Sequence, residues 1–244
     1  LRAILRLFGL EIHKRKNIDD NIEENINISK RTSTLSYYKT ITGNYYLPTD
    51  AKNDIIANTI INNNIFENEV VEIAQKYIKE NTFVLDIGAN YGQMSLLFAD
   101  KIGVNGIVYS FEADDFIFEI LKKNIAANNK QNKIIPFFGA VHNVDNEMLY
   151  YPVQDFIEFG TYGSYGIDYN AIEGRIVRSL TIDSLNIEQP ISFMKIDIQG
   201  GDLKALQDAI NTINKNKMPI LFEYEYQFED RYKMCFQDYV DFVL

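Results

Sequence analysis

Apolar and polar positions alternate regularly between residues 67 and 138. From 70 to 78 apolar side chains recur at helical spacing, and Glu67, Glu69 and Glu72 stand near the start, where a helix dipole favours acidic groups. The pattern then predicts strands at 83–87, 107–111 and 134–138 and helices at 93–101 and 116–128. This alternation is typical of a parallel sheet with helices on both faces.

A break from 142 to 174 interrupts the alternation, and its most loop-like stretch is 160–166. Beyond it the pattern predicts strands at 176–180, 192–198 and 218–224 and helices at 202–213 and 226–244. The sequence therefore predicts an α/β fold with a mostly parallel sheet. A length of 244 residues suits one such domain with a modest appendage.

The segment 1–12 is apolar on one helical face and is followed by a basic run. Arg2 and Arg6 interrupt it too early for a membrane-spanning helix or a signal peptide. We expect a helix that packs on the domain or on a second copy, with an interfacial helix on anionic lipid as the alternative. Residues 17–31 are polar and predict a linker. Because the chain opens on Leu1 rather than Met, we expect the natural N-terminus to lie upstream.

Residues 37–48 are aromatic and β-branched around Gly43 and Asn44, which predicts a short hairpin that turns at those two residues. We expect the hairpin to cover one edge of the main sheet. The predicted organisation is an extension over 1–42, containing the basic helix, the linker and the start of the hairpin, followed by a domain over 43–244.

Charge and cysteine content exclude some classes of function. A net charge of −10 argues against a surface that tracks a phosphate backbone, so nucleic acid is not an expected partner. Cys235 is the only cysteine, and an internal disulfide is therefore impossible. This fits a cytoplasmic protein, with peripheral membrane association through the basic terminal helix as an option.

The candidate chemistry centres on the loop that follows the strand at 83–87. In an open α/β sheet, ligands bind beyond the carboxyl ends of the strands, near the point where strand order reverses. Gly88 and Gly92 let the backbone approach a ligand closely, and Asp86 precedes them. The spacing of these glycines around Asn90 departs from the G-x-G-x-x-G pattern of dinucleotide enzymes. A pyrophosphate site is therefore disfavoured.

Glu112 ends the next strand, twenty positions after Gly92, where a carboxylate can accept hydrogen bonds from both ribose hydroxyls. Each feature alone has a plain structural alternative: a tight strand-to-helix turn for the glycines and a solvated strand-end carboxylate for Glu112. Together with Asp86, which is placed to meet the amino-acid end of a cofactor, they favour a nucleoside-containing ligand.

Five motifs resemble the FkbM family of methyltransferases in order and interval. They are Leu85–Gln93 (LDIGANYGQ), Tyr109–Ala113 (YSFEA), Asn124-Ile125-x-x-Asn128, Leu180–Leu185 (LTIDSL) and Met194–Gly200 (MKIDIQG), and the similarity runs from about 43 to 226. The resemblance implies a Rossmann-like class I methyltransferase fold, a three-layer αβα sandwich, with S-adenosyl-L-methionine as cofactor. It also implies O-methylation of hydroxyls on sugars or secondary metabolites.

Carried over residue by residue, the resemblance implies a cofactor site. Its expected members are Asp86, Gly88, Asn90 and Gly92 at the methionine part, Glu112 at the ribose, Phe111, Ala140 and Val141 around the adenine, and Asp197 across the strand reversal. The family's sheet is completed by an antiparallel strand pair, and the chain reaches Leu244 before one appears. We therefore expect incomplete C-terminal strands or an edge covered by another chain, as in a homodimer.

Asp197 is the first choice for general base or acceptor-orienting group and Glu223 the second, because methylation of a hydroxyl requires alignment and the loss of a proton. The alternative is that Asp197 only caps the next helix and Glu223 pairs with a cation. Both acids, with Asp202 and Glu225, offer oxygen ligands for a divalent cation, but no spacing specifies a metal site and none is predicted. The family pattern commonly has Glu where this chain has Gln199 or Asp202, which leaves either role open.

Acceptor binding is assigned to the loop at 160–166, where Tyr162, Ser164 and Tyr165 suit a lid over a sugar. An ordinary insertion tip is the alternative. His142 follows the third strand, and we expect a surface histidine there rather than a base or a contact to the cofactor.

Three classes of function remain. The leading one is an enzyme that methylates a hydroxyl of a glycan or its activated precursor, with bacterial capsule or lipopolysaccharide modification as a family-level expectation. The second is an N- or phosphoryl-directed methyltransferase, which needs orientation more than a base. The third is a cofactor-binding module of a larger glycan-modifying protein.

Overall fold

The computed structural model describes residues 34–49, 52–151, 160–163 and 166–244. The predicted terminal helix and the polar linker lie outside these residues. Among the described residues, no helix is both long enough and apolar enough to cross a lipid bilayer.

The regular elements are named in chain order. They are β1 (Leu35–Thr40), β2 (Gly43–Pro48), α1 (Ile55–Ile61), α2 (Asn68–Tyr77), β3 (Phe83–Ile87), α3 (Gln93–Lys101), β4 (Ile107–Glu112), α4 (Asp115–Ala127), β5 (Ile134–Phe138), β6 (Ala140–Val141), β7 (Met148–Tyr151), β8 (Arg175–Leu180), β9 (Ile191–Ile196), α5 (Asp202–Asp208), α6 (Ile210–Asn216), β10 (Ile220–Phe222), α7 (Glu229–Tyr232) and α8 (Phe236–Val243).

A five-stranded sheet of order β10-β9-β3-β4-β5 forms the centre of the fold. Its neighbouring strands all run parallel. The chain enters the sheet in the middle at β3, adds β4 and β5 on one side, and later returns to add β9 and β10 on the other. Strand order therefore reverses between β3 and β9, which is where open α/β sheets bind their ligands.

Alternate side chains of the central strands point to opposite faces of the sheet. Val84, Val108 and Phe193 belong to one buried cluster, which α2, α3 and α4 cover, while Leu85 and Met194 belong to a second cluster, which α5 and α8 cover. Helices thus lie on both faces of the parallel sheet. The predicted three-layer, Rossmann-like α/β architecture is confirmed.

A second sheet of order β6-β8-β7 follows the central one. β6 pairs parallel with β8, whereas β7 pairs antiparallel with it. β7 lies inside 142–174, which the sequence predicts as an irregular break, so that prediction is wrong for 148–151. Four residues are too few for a periodic signal, and their pairing partners begin only at Arg175.

β1 and β2 form the predicted hairpin, but its turn lies before the predicted one. Ile41 and Thr42 are the turn residues, and Gly43 already pairs with Thr40. The expected position on an edge of the main sheet is also wrong, because β2 packs on α4. The predicted domain boundary between 42 and 43 falls at this turn and stays a prediction.

Two asparagines, Asn124 in α4 and Asn128 directly after it, hold the hairpin against the helix. Asn128 accepts a hydrogen bond from the Asn44 N–H at 2.8 Å and donates one to the Asn44 carbonyl at 2.7 Å. Asn124 accepts from the Tyr46 N–H at 2.7 Å and donates to the Tyr91 carbonyl at 2.9 Å. The Asn124/Asn128 motif therefore has a structural role: it joins the hairpin to α4 and to the loop after β3.

Two predicted helices are interrupted. The segment 202–213 divides into α5 and α6 at Ala209, and 226–244 divides into a 3-10 turn, α7 and α8. Lys233 ends α7 in the left-handed region at φ 55°, and the Asp238 carboxylate accepts from the Cys235 N–H at 2.7 Å to begin α8. In contrast, β3, α3 and β5 have the predicted bounds.

Asn124 is fully buried, and its replacement by Leu is expected to lower the free energy of unfolding by about 2–5 kcal/mol, because the Tyr46 N–H and the Tyr91 carbonyl each lose a hydrogen-bond partner. Urea denaturation measures the change. The exposed Asn64 supplies a control, and its replacement by Ala should alter stability by no more than about 0.5 kcal/mol. Equal stabilities for the two variants would contradict the structural role of Asn124.

Candidate cofactor and active site

The loop after β3 turns sharply through left-handed backbone at Gly88 (φ 82°), Asn90 (φ 49°) and Gly92 (φ 88°). Glycine is also required sterically at 88, because a Cβ there would lie 1.8 Å from the carbonyl oxygen of Asp197. A Cβ on Gly92 would lie 2.6 Å from Leu121, so this glycine permits close packing of α3 on α4. The ends of β3 and β9 therefore meet backbone to backbone.

Glu112, at the end of β4, is buried and holds this loop in place. One carboxylate oxygen accepts from the Asn90 N–H at 2.9 Å, and the other accepts from the Asp114 N–H at 2.8 Å. Burial raises the pKa of Glu112 to about 7, although these N–H groups act to lower it. Asp114 in turn caps α4 and pairs with Arg175 at 3.0 Å. One carboxyl group thus links the loop after β3 to the start of α4.

A cavity of about 770 Å³, counted out to its open mouth, lies at these strand ends. The cavity is lined by residues that the sequence nominated for the site: Gly88, Asn90, Phe111, Glu112, Ala140, Val141, Tyr162 and Asp197. The structure brings these residues together in the wall of one cavity, and the role of each stays a prediction. Gly92 does not line the cavity.

One part of this wall is apolar. Phe111 stacks on Phe137, with ring centroids 5.0 Å apart and 15° between the ring planes. Ala140 and Val141 follow Gly139, whose backbone at φ 152° turns the chain from β5 into β6. An apolar wall with an aromatic ring suits a planar ligand group such as a purine.

A second cavity, of about 350 Å³, shares Gly88, Asn90 and Asp197 with the first. Asp86 lines this second cavity only. Its side chain is fully buried and accepts a hydrogen bond from the Ser95 hydroxyl. Burial raises the pKa of Asp86, although the neighbouring lysine at 195 acts to lower it.

Lys195 also lines the second cavity and is not among the site residues predicted from the sequence. Its Nζ lies 3.7 Å from Oδ1 of Asp86 and 3.3 Å from Oδ2 of Asp197. A lysine inside the apolar run Ile191–Ile196 is itself a signal that was available. A buried strand position rarely holds a charge without a function or a partner.

Asp197 and Glu223 are linked by Gln199, whose amide donates to Asp197 at 3.3 Å and to Glu223 at 3.1 Å. Burial acts to raise the pKa of Asp197, but Lys195 beside it brings the pKa below its ordinary value. Burial, and then the charge on Asp197, raise the pKa of Glu223 to about 8. Near neutral pH the negative charge therefore resides on Asp197 at the cavity wall, and Glu223 holds a proton.

Asp197 does not cap the following helix, since α5 begins after Gly201 without a side-chain cap. Asp202 is buried, accepts from the Glu223 N–H at 3.2 Å, and has its pKa raised by burial to about 7. Within the part of the chain that the structure describes, no three His, Cys, Asp or Glu side chains are grouped to hold a metal ion.

Asp54 joins three segments around the cavity, and the sequence analysis missed it. The residue is fully buried, and its Oδ1 accepts from the Ala57 N–H at 2.8 Å to cap α1. Its Oδ2 accepts from the Tyr91 hydroxyl at 3.0 Å and from the Tyr162 N–H at 2.9 Å. Asp54 and Tyr162 are 108 positions apart, so no local pattern signals this contact.

Tyrosines form much of the remaining wall of the larger cavity. Tyr162 lines it as the sequence nominated, together with Tyr151 and Tyr169. Ser164 and Tyr165, the other residues nominated for acceptor binding, lie outside the described residues.

His142 is buried, so the expected surface position is wrong. Its Nδ1 accepts from the Val144 N–H at 3.2 Å, and its Nε2 lies 3.1 Å from Nζ of Lys204. Burial first and Lys204 second lower the pKa of His142 to about 4. The ring packs against Tyr169 at a centroid distance of 5.0 Å and lines neither cavity. His142 therefore supports the wall as a neutral imidazole.

The sheet order and the cavity at the strand reversal define a Rossmann-like α/β protein with a cavity at its switch point, where open α/β sheets bind their ligands. Residues 86–243 match the family described as the Methyltransferase FkbM domain. The match covers more than half of the chain, which therefore belongs to the family of the Methyltransferase FkbM domain.

Three solved structures are similar to the chain. The methyltransferase FkbM of Methylobacillus flagellatus KT has 18% identity and a TM-score of 0.42, with 59% of this chain and 33% of that chain covered. A protein of Clostridium thermocellum assigned as an rRNA-methylase has 12% identity and a TM-score of 0.46, with 72% of this chain and 77% of that chain covered. Trm5 of Methanocaldococcus jannaschii, in complex with adenosine, has 21% identity and a TM-score of 0.32, with 48% of this chain and 33% of that chain covered.

The chain thus spans about a third of the length of the Methylobacillus protein. No curated protein matches the chain.

Glu112→Gln is expected to flatten the pH dependence of stability. The pKa of Glu112 is about 7 in the folded protein against an ordinary 4.5, so the folded state keeps a proton that the unfolded chain releases. Its contribution to the free energy of unfolding therefore declines as pH rises from about 4.5 to about 7. In urea denaturation at about pH 5 and pH 8, the wild type should lose more stability than the variant. The exposed Glu119→Gln should behave as wild type, and equal losses in all three proteins would refute this account.

Proposed function

We propose that this protein is an S-adenosylmethionine-dependent O-methyltransferase whose acceptor is a hydroxyl of a sugar or a surface-glycan precursor. The observation that carries the proposal is the shared cavity. Gly88 and Glu112, at the ends of two neighbouring strands, line the same space as Asp197 beyond the strand reversal. One cavity therefore offers groups suited to a nucleoside and a carboxylate suited to an acceptor hydroxyl.

The residues of the wall fit S-adenosylmethionine. Each oxygen of Glu112 accepts one backbone N–H, and a carboxylate has about four lone-pair sites, so both oxygens can still accept from ribose hydroxyls. Phe111 and Val141 offer an apolar face to adenine. Gly88 has no room for a side chain. Together with Asn90, it would hold the methionine part of the cofactor. When bound, this cofactor supplies a methyl group activated by its sulfonium.

The acceptor side of the cavity combines a carboxylate with phenolic rings. Asp197 is held ionised, and a hydroxyl is the natural donor to a carboxylate. Tyr151, Tyr162 and Tyr169 add ring faces and hydroxyl groups, which suit the two faces of a sugar ring. A phosphoryl acceptor would bring a second anion against Asp197, and like charges oppose binding. These contacts favour a hydroxyl over a phosphoryl acceptor.

Methyl transfer is an in-line displacement, so the protein acts chiefly by alignment. Asp197 would accept the hydrogen bond of the acceptor hydroxyl, fix its direction, and take up its proton. Gln199 holds the Asp197 carboxylate from the opposite oxygen to the one facing Lys195. Because the Asp197 carboxylate is already fixed in direction, less conformational freedom must be lost when the reaction takes place.

Calorimetric titration with S-adenosylhomocysteine tests the cofactor assignment. The wild type should bind, and Glu112→Gln should weaken binding by about tenfold or more, because hydrogen bonds to a charged group contribute about 1.5–3 kcal/mol. Glu119→Gln, on the exposed face of α4, should bind as wild type does. Absence of any heat of binding for the wild type would contradict the proposed function.

Asp197→Asn should reduce transfer of labelled methyl groups to a panel of neutral oligosaccharides by about 10²–10⁴-fold, because an amide cannot take up the hydroxyl proton. S-adenosylhomocysteine affinity should change far less. The exposed Asp241→Asn serves as the control variant. Wild-type turnover in Asp197→Asn would remove this residue from the base role, and label recovered as a phosphate ester would overturn the hydroxyl acceptor.

A further inference from the structure

Lys195 is a buried cation in an otherwise uncharged strand. Its side chain is 4% exposed, and β9 around it reads Ile-Ser-Phe-Met-Lys-Ile. Burial acts to lower the pKa of Lys195, but Asp197 and then Asp86 outweigh burial, and the pKa lies above its ordinary value. Lys195 is therefore charged. A buried charge is costly unless its surroundings partner it, so its contacts indicate what it does.

The three contacts of this ammonium are unequal. Its Nζ donates to the Gly88 carbonyl at 2.9 Å and lies 3.3 Å from the Asp197 carboxylate. The Asp86 oxygen that faces it is 3.7 Å away, beyond hydrogen-bonding distance, and has no hydrogen-bond partner of its own. The Lys195 ammonium therefore lies closer to Gly88 and Asp197 than to Asp86, although Asp86 is the residue that pairs with Lys195 in the register of β3 and β9.

Gly88 and Asp197 both line the larger cavity. Backbone pairing already fixes the main chain of Asp197, since its N–H donates to the Ile87 carbonyl at 3.0 Å. The direction of the Asp197 carboxylate is set separately, by Gln199 on one oxygen and Lys195 on the other. A simple Lys195–Asp86 ion pair would serve stability alone and would not need these contacts.

We propose that Lys195 is a positioning residue of the methyl-transfer site: its ammonium fixes the Gly88 carbonyl on the cofactor side and the Asp197 carboxylate on the acceptor side of one cavity. The names of the two sides rest on the proposed function. The contacts themselves are independent of it. One cation would thus hold both halves of the site at a set separation.

The test removes the ammonium without leaving a buried carboxylate uncompensated. Lys195→Met is made in an Asp86→Asn background, and the effect of Lys195 is the difference between Asp86→Asn and the double variant. Lys215→Met is the matched control, because the Lys215 ammonium also donates to a backbone carbonyl, that of Ile187 at 2.8 Å. Ile187 precedes the first residue of β9, at the end of the strand opposite to Asp197. Thermal unfolding shows that each variant is folded.

Two readouts are independent of turnover. In calorimetry, the double variant should bind S-adenosylhomocysteine about tenfold or more weakly than Asp86→Asn, because the loop loses a charged donor. In ¹³C NMR of labelled aspartate carboxyls, the Asp197 signal, identified by its absence from Asp197→Asn, should titrate at higher pH in the double variant. The cause is loss of the cation that lowers its pKa.

The other acidic groups that act on Lys195 and Asp197 do not differ between the two proteins being compared. Position 86 is Asn in both, and Glu67, Asp202 and Glu223 are unchanged. Wild-type protein gives a further reading that needs no variant. The ¹⁵Nζ resonance of Lys195 should shift when S-adenosylhomocysteine binds, and that of Lys215 should not.

Equal S-adenosylhomocysteine affinities and equal Asp197 titrations in Asp86→Asn and the double variant would overturn the proposal and leave Lys195 a structural residue. An unshifted ¹⁵Nζ resonance on binding would do the same. Failure of the wild type to bind S-adenosylhomocysteine would instead contradict the proposed function. The Asp197 titration would still decide whether Lys195 controls that carboxylate.

Discussion

The site depends on one close approach, that of the Gly88 backbone to the carbonyl of Asp197. A Cβ at 88 would lie 1.8 Å from that oxygen, so any side chain there would force β3 and β9 apart at the point where strand order reverses. Because glycine is present, the two strands stay paired to their last residues, and the Asp197 N–H reaches the Ile87 carbonyl at 3.0 Å. The cavity opens directly beyond this junction, with groups from both halves of the sheet on one wall.

Several ionisable groups lie at the same edge of the sheet, and burial disfavours their charged forms. Burial raises the pKa values of Glu112 and Asp202 to about 7 and that of Glu223 to about 8. Lys195 is the cation among them, and it holds the charge on Asp197. An arrangement of this kind stabilises the fold less than apolar packing would. Its value lies in the Asp197 carboxylate, which is held ionised and fixed in direction beside the cavity.

Much of the fold could be predicted because its signals are local. The bounds of β3, α3 and β5 agree with the prediction, since each apolar run is bounded by glycine or polar residues. The hairpin turn was misplaced because Asn44 is held in β2 by Asn128, which is 84 positions away. The lysine in the apolar strand β9 marks position 195 as unusual, but its hydrogen-bond partner Gly88 is 107 positions distant, and only the completed sheet brings the two together.

The contacts of Asn124 and Asn128 also join the hairpin to α4. The segment that matches the family starts at 86, yet Asn124 and Asn128 bond to backbone groups of β2, far upstream. A fragment cut at the family boundary would leave the side chains of the buried Asn124 and the half-buried Asn128 without their β2 partners, and it would uncover the face of α4 on which the hairpin packs. The packed unit formed by the hairpin and α4 therefore extends upstream of the segment that matches the family.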